Sequence, residues 1–344
     1  MEVKYLNMTQ NKKNSLVVGI IVTYGDRYKF IREVVHSLIT QSIGLIVIVD
    51  NNSTIESKSA IEQLQHRYPD VIEVIWNPEN LGSSGGIKIG LEHVALLDGF
   101  VYIWLLDDDN VPRFHALEAL LACVSPEDEG VVLHSVRGGL SDAGLRYWIK
   151  RFPPQSSFYE FDLLTYLGKL LDLLLIHVHP DPKSLNAIDY SVPYAPYGGL
   201  FFHRSWLKRV GLPNEQFFVY CDDTEYTYRM TCAGAKILYV QESLIDDIDA
   251  YWGRDIAYFS KFTHVINSKS WFRIYYTLRN HSYFDTYFWQ GNSIRYKVNK
   301  TVYLTIVWLY ATLTRRIARF MKILNAVREG EQKRLGKRNE VTGL

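Results

Sequence analysis

The sequence predicts an α/β fold, a doubly wound, mainly parallel sheet flanked by helices. Three observations predict it. Continuous β-branched runs alternate with helically spaced segments over the first 110 residues. Each run ends in a polar, glycine- or aspartate-rich loop. The composition, 47% apolar and 22% charged, is that of a chain that buries a substantial core.

Residues 16–23 form a β-branched run of the kind buried on both faces of a parallel sheet. Residues 29–41 follow with Phe30, Val34, Val35, Leu38 and Ile39 at helical spacing. Residues 45–49 read as the second strand, 55–68 as a helix, 71–76 as the third strand, 86–97 as the third helix, and 100–106 as the fourth strand. Residues 140–195 break this rhythm. They are punctuated by Gly138-Gly139, Pro153-Pro154 and Asp181-Pro182, are rich in Tyr, Phe and Leu, and read as an insertion covering a site. A short strand resumes near residues 199–203. A helix begins at Asp222 and is ended by Gly234, ahead of a strand at 236–240.

The chain has 344 residues, 38 basic and 37 acidic, with a net charge of +1. Residues 291–344 hold 12 Lys+Arg against 3 Asp+Glu, a local +9 that leaves residues 1–290 at −8. This argues against a nucleic-acid binder and marks a basic C-terminal tail. Cys123, Cys221 and Cys232 lack metal or disulfide spacing, which suits a reducing compartment. The polar residues 1–15 lack the apolar core of a signal peptide. The longest apolar runs are 163–178, interrupted by Lys169 and Asp172, and 301–313, short of the roughly 20 residues that span a bilayer.

Open α/β sheets bind ligands beyond the carboxyl ends of their strands. The polar clusters lie there: Thr23-Tyr24-Gly25-Asp26-Arg27 after the first strand, Asp50-Asn51 after the second, 77–86 after the third and Asp107-Asp108-Asp109 after the fourth. Any one is explained equally by turn chemistry. Four on one edge favour a shared site. If the strand stays extended, Asp107 and Asp109 share a face and repel unless a cation lies between them. Hard divalent ions use few carboxylates and complete their shell with phosphate oxygens. The glycines of Asn80-Leu81-Gly82-Ser83-Ser84-Gly85-Gly86 would let backbone approach a ligand at a helix start. That string is neither a P-loop nor a dinucleotide fingerprint, and it follows the third strand rather than the first, which argues against a dehydrogenase.

Cys221-Asp222-Asp223-Thr224-Glu225-Tyr226 is the second strong element. Asp222 with Glu225 reads as a capping box, and Glu225 with Arg229 as an i,i+4 ion pair. Asp223 is a second acid in the first turn and is favoured over Asp222 as a general base toward a hydroxyl. Cys221 reads as packing. His134, His177 and His179 are lesser ligand candidates, and the many aromatic residues suit sugar stacking as well as the core.

Together these motifs resemble the family 2 glycosyltransferases of the GT-A fold, a Rossmann-like architecture, and within them the bacterial galactofuranosyl- and rhamnosyltransferase branch. The likeness covers roughly residues 16–280 and includes Tyr275-Tyr276-Thr277-Leu278-Arg279-Asn280. It implies an inverting transfer from a nucleotide-diphosphate sugar to a saccharide or lipid-linked acceptor in surface polysaccharide synthesis. By that resemblance Thr23, Tyr24, Asp26, Arg27, Asp50 and Asn51 would hold the nucleoside. Asn80, Gly82, Gly85, Gly86, Asp107 and Asp108 would lie against the donor, and Asp107 and Asp109 would hold Mn²⁺ or Mg²⁺. Asp223 would be the base, with Asp222 beside it. Where the branch usually places a metal-binding histidine this chain has Asp246-Asp247, so Asp247 stands as a substitute oxygen ligand. The implied donor is a neutral sugar, UDP-galactofuranose first, then galactopyranose or rhamnose.

The expected organisation is therefore a polar extension (1–15), a glycosyltransferase domain (16–290, with its nucleotide-binding half at 16–110, its acceptor half at 111–290 and the insertion at about 140–195), and a basic amphipathic helical tail (291–344). Residues 302–324 combine Trp308, Tyr310, Ile317, Phe320 and Met321 with Arg315, Arg316, Arg319 and Lys322. That is the composition of a helix lying on an anionic membrane, or of one docked on the enzyme with a solvated basic face. The first reading implies a cytoplasmic protein peripheral to the inner membrane. Nothing in the chain speaks to oligomeric state. A nucleotidyl or phosphoryl transferase would also use paired carboxylates and a metal, but there is no dedicated phosphate lysine. A non-catalytic sugar-nucleotide-binding scaffold is the rival outside the enzymes.

Overall fold

A computed structural model describes residues 14–125, 128–138, 152–174, 191–249, 261–339 and 341. The chain divides into two compact units. The first comprises Met1–Ile149, Tyr190–Phe218 and Asp222–Trp252; the second comprises Lys150–Asp189, Val219–Cys221 and Gly253–Leu344.

The first unit contains β1 (Val17–Gly25), α1 (Tyr28–Thr40), β2 (Leu45–Ser53), α2 (Ile55–Arg67), β3 (Ile72–Trp76), α3 (Gly82–Leu96), β4 (Tyr102–Asp107), β5 (Asn110–Pro112), α4 (Ala116–Ala122) and β6 (Val131–Arg137). It continues with β7 (Ser191–Val192), β8 (Leu200–His203), α6 (Trp206–Val210), α7 (Asp222–Cys232) and β9 (Lys236–Asp247). Among the described residues the sheet has nine strands in the order β3-β2-β1-β4-β8-β6-β9-β5, with β7 paired to β9. The pairs β3–β2, β2–β1 and β1–β4 are parallel, as the β-branched runs predict. β8 runs antiparallel to both β4 and β6, so the second half of the sheet is mixed.

Register brings the polar strand ends together. Thr23 lies opposite Asp50 on β2, Val22 opposite Asp107 on β4, and Asn110 opposite Asp247 on β9. Beneath them Val17, Ile21, Ile46, Ile48, Trp104 and Phe201 form part of one buried core, closed on one face by Ile31, Val34, Val35 and Leu38 of α1. These α1 residues recur at helical spacing, so a single face is apolar and is the face that is buried. Three elements differ in extent from expectation by four residues or more, and β2 is one, running four residues further, to Ser53. α3 begins four residues earlier than the pattern suggests, at Gly82, because Asn80 Oδ1 accepts from the Gly82 N–H at 2.8 Å and starts the turn. β9 runs seven residues further, to Asp247, because it takes up β5 as an antiparallel edge.

The second unit holds α5 (Leu163–Leu174), α8 (Lys261–Asn267), α9 (Trp271–Tyr287), α10 (Ser293–Leu313) and α11 (Ile317–Glu331). Phe158, Phe161, Phe262 and Tyr303 form an aromatic cluster with ring centroids 5.1–6.0 Å apart. Beside it Asp162 accepts from Arg295 at 2.8 and 2.9 Å and from Asn299 at 3.0 Å. Of the expected insertion, residues 152–174 thus belong with the C-terminal helices, whereas Ser191–Val192 joins the sheet of the first unit as β7. The remainder, with His177 and His179, lies outside the described residues.

The single tail helix expected over 302–324 is two helices. The Thr312 and Thr314 hydroxyls bond back to the Trp308 and Tyr310 carbonyls at 2.9 and 2.7 Å, and Arg315 adopts φ +56°. The break lets α11 return along α9, where an added methyl at Gly330 would lie 2.0 Å from the Arg279 carbonyl oxygen. Part of the basic edge is spent internally. Arg319 stacks 4.4 Å over Trp271, and Arg316 donates to Asn267 Oδ1 at 2.7 Å. No helix among the described residues is long and apolar enough to cross a membrane.

Candidate active site

At the carboxyl end of the sheet the first feature is a part-buried arginine among carboxylates. Arg27, just past β1, donates to both oxygens of Asp108 at 2.7–2.9 Å and to Asp249 at 2.7 Å, with Asp109 at 3.4 Å. Thr23 adds a hydroxyl bond to Asp108 at 2.8 Å. Arg27 and Asp108 therefore satisfy each other, whereas the resemblance would place both against a nucleotide sugar. The Arg27 guanidinium also lies 4.7 Å from the Phe30 ring and 5.7 Å from the half-exposed Tyr24 ring.

The strand-alternation argument for the Asp triplet ends at Asp107. β4 stops there, and Asp108-Asp109 form the turn into β5. The two flanking carboxylates consequently have different neighbours. Asp107 is about half exposed and has Arg137 at 3.6 Å. Asp109 is buried, faces Arg27 and accepts from Asn110 Nδ2 at 3.3 Å. Burial, followed by the charges of Asp107 and Asp108, pushes Asp109 up to about 7. Asp247 is held by Arg137 and by Asn110 Nδ2, the latter at 2.7 Å.

These acids fit a divalent cation of the kind that shares its shell with phosphate. Their oxygens are hard donors of the kind such an ion takes. Among the described residues no three His, Cys, Asp or Glu side chains converge as a closed metal cage. An ion here would take one or two carboxylates and need oxygens from a diphosphate.

The loops after β2 and β3 are occupied by protein contacts. Asp50 is fully buried and accepts from the Ser53 N–H, with Lys58 at 3.9 Å. Asn51 donates to the Gly82 carbonyl at 2.7 Å and accepts from Asn77 at 2.8 Å, tying the ends of β2 and β3 to the start of α3. Asp26 accepts from Ser57 at 3.3 Å. The glycines expected to admit a ligand admit the protein itself. Gly82 sits at φ +73°, and a methyl there would lie 1.9 Å from the Phe218 carbonyl oxygen. A methyl at Gly86 would meet Val22 at 2.5 Å and one at Gly85 would meet Leu81 at 2.6 Å.

α7 supplies the second acidic pair. Asp222 is the first helical residue, and its Oδ2 accepts from the Ser83 hydroxyl at 2.8 Å. This replaces the capping-box reading, because Cys221 before it has φ +63° and Asp222 itself already lies inside the helix. Glu225 binds Arg229 at 2.5 and 3.1 Å, as its spacing predicts. Burial and then Asp223 push Asp222 up to about 8, while burial, partly offset by the Thr224 N–H at 2.7 Å, leaves Asp223 at about 6. Asp107 is the carboxylate that raises Asp223, so the two acidic elements feel one another. Both carboxyls are raised, Asp222 the further, so the pair gives up its two protons in separate steps.

Sequence patterning does not mark Ser83, Arg137 or Asp249 as partners in this network. Asn110 had one signal, its place directly after the triplet. His134 is no free ligand. Its ring nitrogens face the Ser135 and Pro196 carbonyls at 2.6 and 3.1 Å, and burial lowers it to about 4.

The family model described as Glycosyl transferase family 2 matches residues 19–211. The galactofuranosyltransferase GlfT1 of Mycobacterium tuberculosis strain H37Rv is 27% identical over 203 residues, 55% of each chain. The chain thus spans about half the length of the curated relatives it matches. Among solved structures, the mannosyltransferase PcManGT from Pyrobaculum calidifontis, in complex with GDP-Man and Mn²⁺, aligns with TM-score 0.51 at 13% identity. That alignment covers 92% of this chain and 86% of that one. GalNAc-T7 with UDP, GalNAc and Mn²⁺ aligns with TM-score 0.51 at 16% identity over 67% of this chain and 43% of that one. At such identities the structural likeness speaks to fold.

Proposed function

The chain belongs to glycosyl transferase family 2 and has the GT-A fold, and on that footing we propose that it is a metal-dependent inverting transferase of a neutral sugar. The donor is a nucleotide-diphosphate sugar, UDP-galactofuranose first and a galactopyranosyl or rhamnosyl donor next. The acceptor is a saccharide or lipid-linked saccharide of a bacterial surface polysaccharide such as O-antigen or capsule. The observation that carries the reading is the acid pair in the first turn of α7, Asp222 held by the Ser83 hydroxyl at 2.8 Å and Asp223 by the Thr224 N–H at 2.7 Å.

In this mechanism Asp223 accepts the proton of an acceptor hydroxyl as its oxygen bonds to the anomeric carbon from the face opposite the nucleotide. The bond from that carbon to the diphosphate oxygen breaks, and the electron pair leaves with the nucleoside diphosphate. Asp107 and Asp109, with Asp247 as a further candidate, would hold Mn²⁺ or Mg²⁺, which when bound offsets charge on the departing diphosphate. Asp222, protonated and bonded to Ser83, keeps the pair from carrying two adjacent negative charges. Thr23, Tyr24, Asp26, Asp50 and Asn51 would line the nucleoside side.

Charge supports a neutral sugar. Arg229 is bound to Glu225 and so does not serve as a clamp for a uronate carboxylate beside Asp222 and Asp223. The 27% identity to GlfT1 supports galactofuranose ahead of other hexoses. Surface attachment fits the exposed Trp308, Leu309, Leu313 and Met321 of α10 and α11 near the exposed Arg315. That attachment would put the enzyme on the cytoplasmic face of the inner membrane.

The test is a donor panel with a lipid-linked acceptor, read as release of nucleoside diphosphate. Turnover with UDP-galactofuranose above other neutral donors is expected. Tighter calorimetric binding of UDP-glucuronate than of the neutral UDP- and dTDP-sugars would refute the choice of sugar.

A further inference from the structure

The backbone that delivers the acidic pair is strained. Phe218, Tyr220 and Cys221 adopt φ of +66°, +64° and +63°, where an L side chain is crowded by its own backbone. Such conformations persist only where the surroundings over-determine them. Asp222 and Asp223 follow at once, as the first two residues of α7.

What holds this segment is an amide on α9. The Cys221 carbonyl is the first that the α7 ladder can use, so the carbonyls of Val219 and Tyr220 need donors from elsewhere. Asn280 supplies both. Its Nδ2 donates to the Val219 carbonyl and to the Tyr220 carbonyl, each at 2.8 Å. Its Oδ1 accepts from Arg279 Nε at 2.8 Å, which fixes which way the amide faces. Arg279 is fixed in turn: it is fully buried, lies 4.7 and 5.5 Å over the Tyr276 and Tyr275 rings, and donates to the Gly336 carbonyl at 2.6 Å. The motif Tyr275-Tyr276-Thr277-Leu278-Arg279-Asn280 is thus one braced unit. Val219–Cys221 belong to the second unit with it, and the chain passes to the first unit at the Cys221–Asp222 peptide bond. Ahead of the segment, the Phe218 carbonyl accepts from the Ser84 N–H at 3.3 Å.

We propose that Asn280 is a positioning residue: through the Val219 and Tyr220 carbonyls it sets where α7 starts, and hence where the Asp222 and Asp223 carboxylates stand. This rests on the transferase reading above and deepens it. Without the two donors, two carbonyls lose their partners and the left-handed residues relax, carrying the first turn of α7 with them. A misplacement of about 1 Å at a reacting group costs about 10²-fold in rate. The nucleoside side, built on β1 and β2, does not depend on this brace.

The test compares full-length wild type with Asn280→Ala and Asn280→Asp. The alanine removes the donors outright. The aspartate keeps the shape and an oxygen for Arg279 but sets a carboxylate against both carbonyls, and it carries the test where the alanine variant does not fold. Thermal melting, calorimetric binding of UDP in the presence of Mn²⁺, and kcat and KM with UDP-galactofuranose and a lipid-linked acceptor are measured, the last two well below Tm. The stoichiometry of UDP binding counts folded sites, so kcat is taken per site. UDP affinity and donor KM should stay within threefold of wild type while kcat per site falls by about 10²-fold. An amide that serves stability alone would lower Tm and the number of UDP sites and leave kcat per site unchanged. A kcat per site within threefold of wild type, or a loss expressed in donor KM and UDP affinity instead, overturns the assignment and leaves the transferase reading standing. A wild type that turns over no sugar nucleotide defeats that reading, and this inference with it.

Discussion

The Ser83 hydroxyl donates to Asp222 Oδ2 at 2.8 Å, joining the start of the helix after the third strand to the start of the helix that carries the acidic pair. The bond lowers Asp222 against the larger effect of its burial. It also makes Asp222 a buried group rather than a helix cap, which changes what its replacement should do.

Asp222→Asn should become relatively more stable as pH rises. The folded carboxyl stands near 8, above its unfolded value of 3.8, so the folded chain binds the proton more tightly. Its contribution to stability is full below about pH 4 and is lost as pH rises through about 8. The amide keeps an acceptor for Ser83 and does not titrate. In metal-free melts the variant should gain steadily on wild type between pH 4 and pH 8, up to the roughly 5 kcal/mol that a rise from 3.8 to about 8 allows. An equal difference at both pH values would count against a raised Asp222.

Arg27→Met should be strongly destabilising. It would leave the buried Asp108 and Asp109 and the part-buried Asp249 together without their shared cation. Breaking one side of a buried ion pair costs about 3–5 kcal/mol. Urea unfolding should show a loss of that order, with Arg27→Lys intermediate because it keeps the charge but loses the two-pronged contact. A loss below about 1 kcal/mol would mean that the acids are otherwise compensated.

Mn²⁺ should raise Tm, more with UDP present than alone, because the diphosphate supplies oxygens that the carboxylates lack. The shift should vanish in Asp109→Ala and weaken below pH 7, where a proton competes for Asp109. Turnover unaffected by EDTA would sink the metal.

Much of this was legible in residue patterns because the relevant physics is local. A β-branched run buried on both faces announces a parallel strand, so β1 to β4 could be read within one to four residues at their ends. Glu225 and Arg229 are neighbours on one helix face and were legible for the same reason. The site's electrostatics were not. Ser83 meets Asp222, and Arg27 meets Asp249, across most of the first unit, and no spacing rule joins such pairs. The Asp triplet misled in one respect: Asp108 bonds Thr23 and Arg27 in a turn, so the alternation that pairs Asp107 with Asp109 does not extend past the strand end. The glycines of 82–86 show the converse. Their need is real, but it is set by Phe218 and Val22 from other elements.

The most direct measurement is metal-supported release of nucleoside diphosphate by wild type and Asp223→Asn, followed from pH 5 to 8. Wild-type kcat/KM should rise with pH to a plateau, with a midpoint near 6 where Asp223 loses its proton. The variant should bind the donor normally, fall by roughly 10²–10⁴-fold and show no such rise. Asp223→Asn turning over within tenfold of wild type, with the same dependence on pH, would contradict Asp223 as the base.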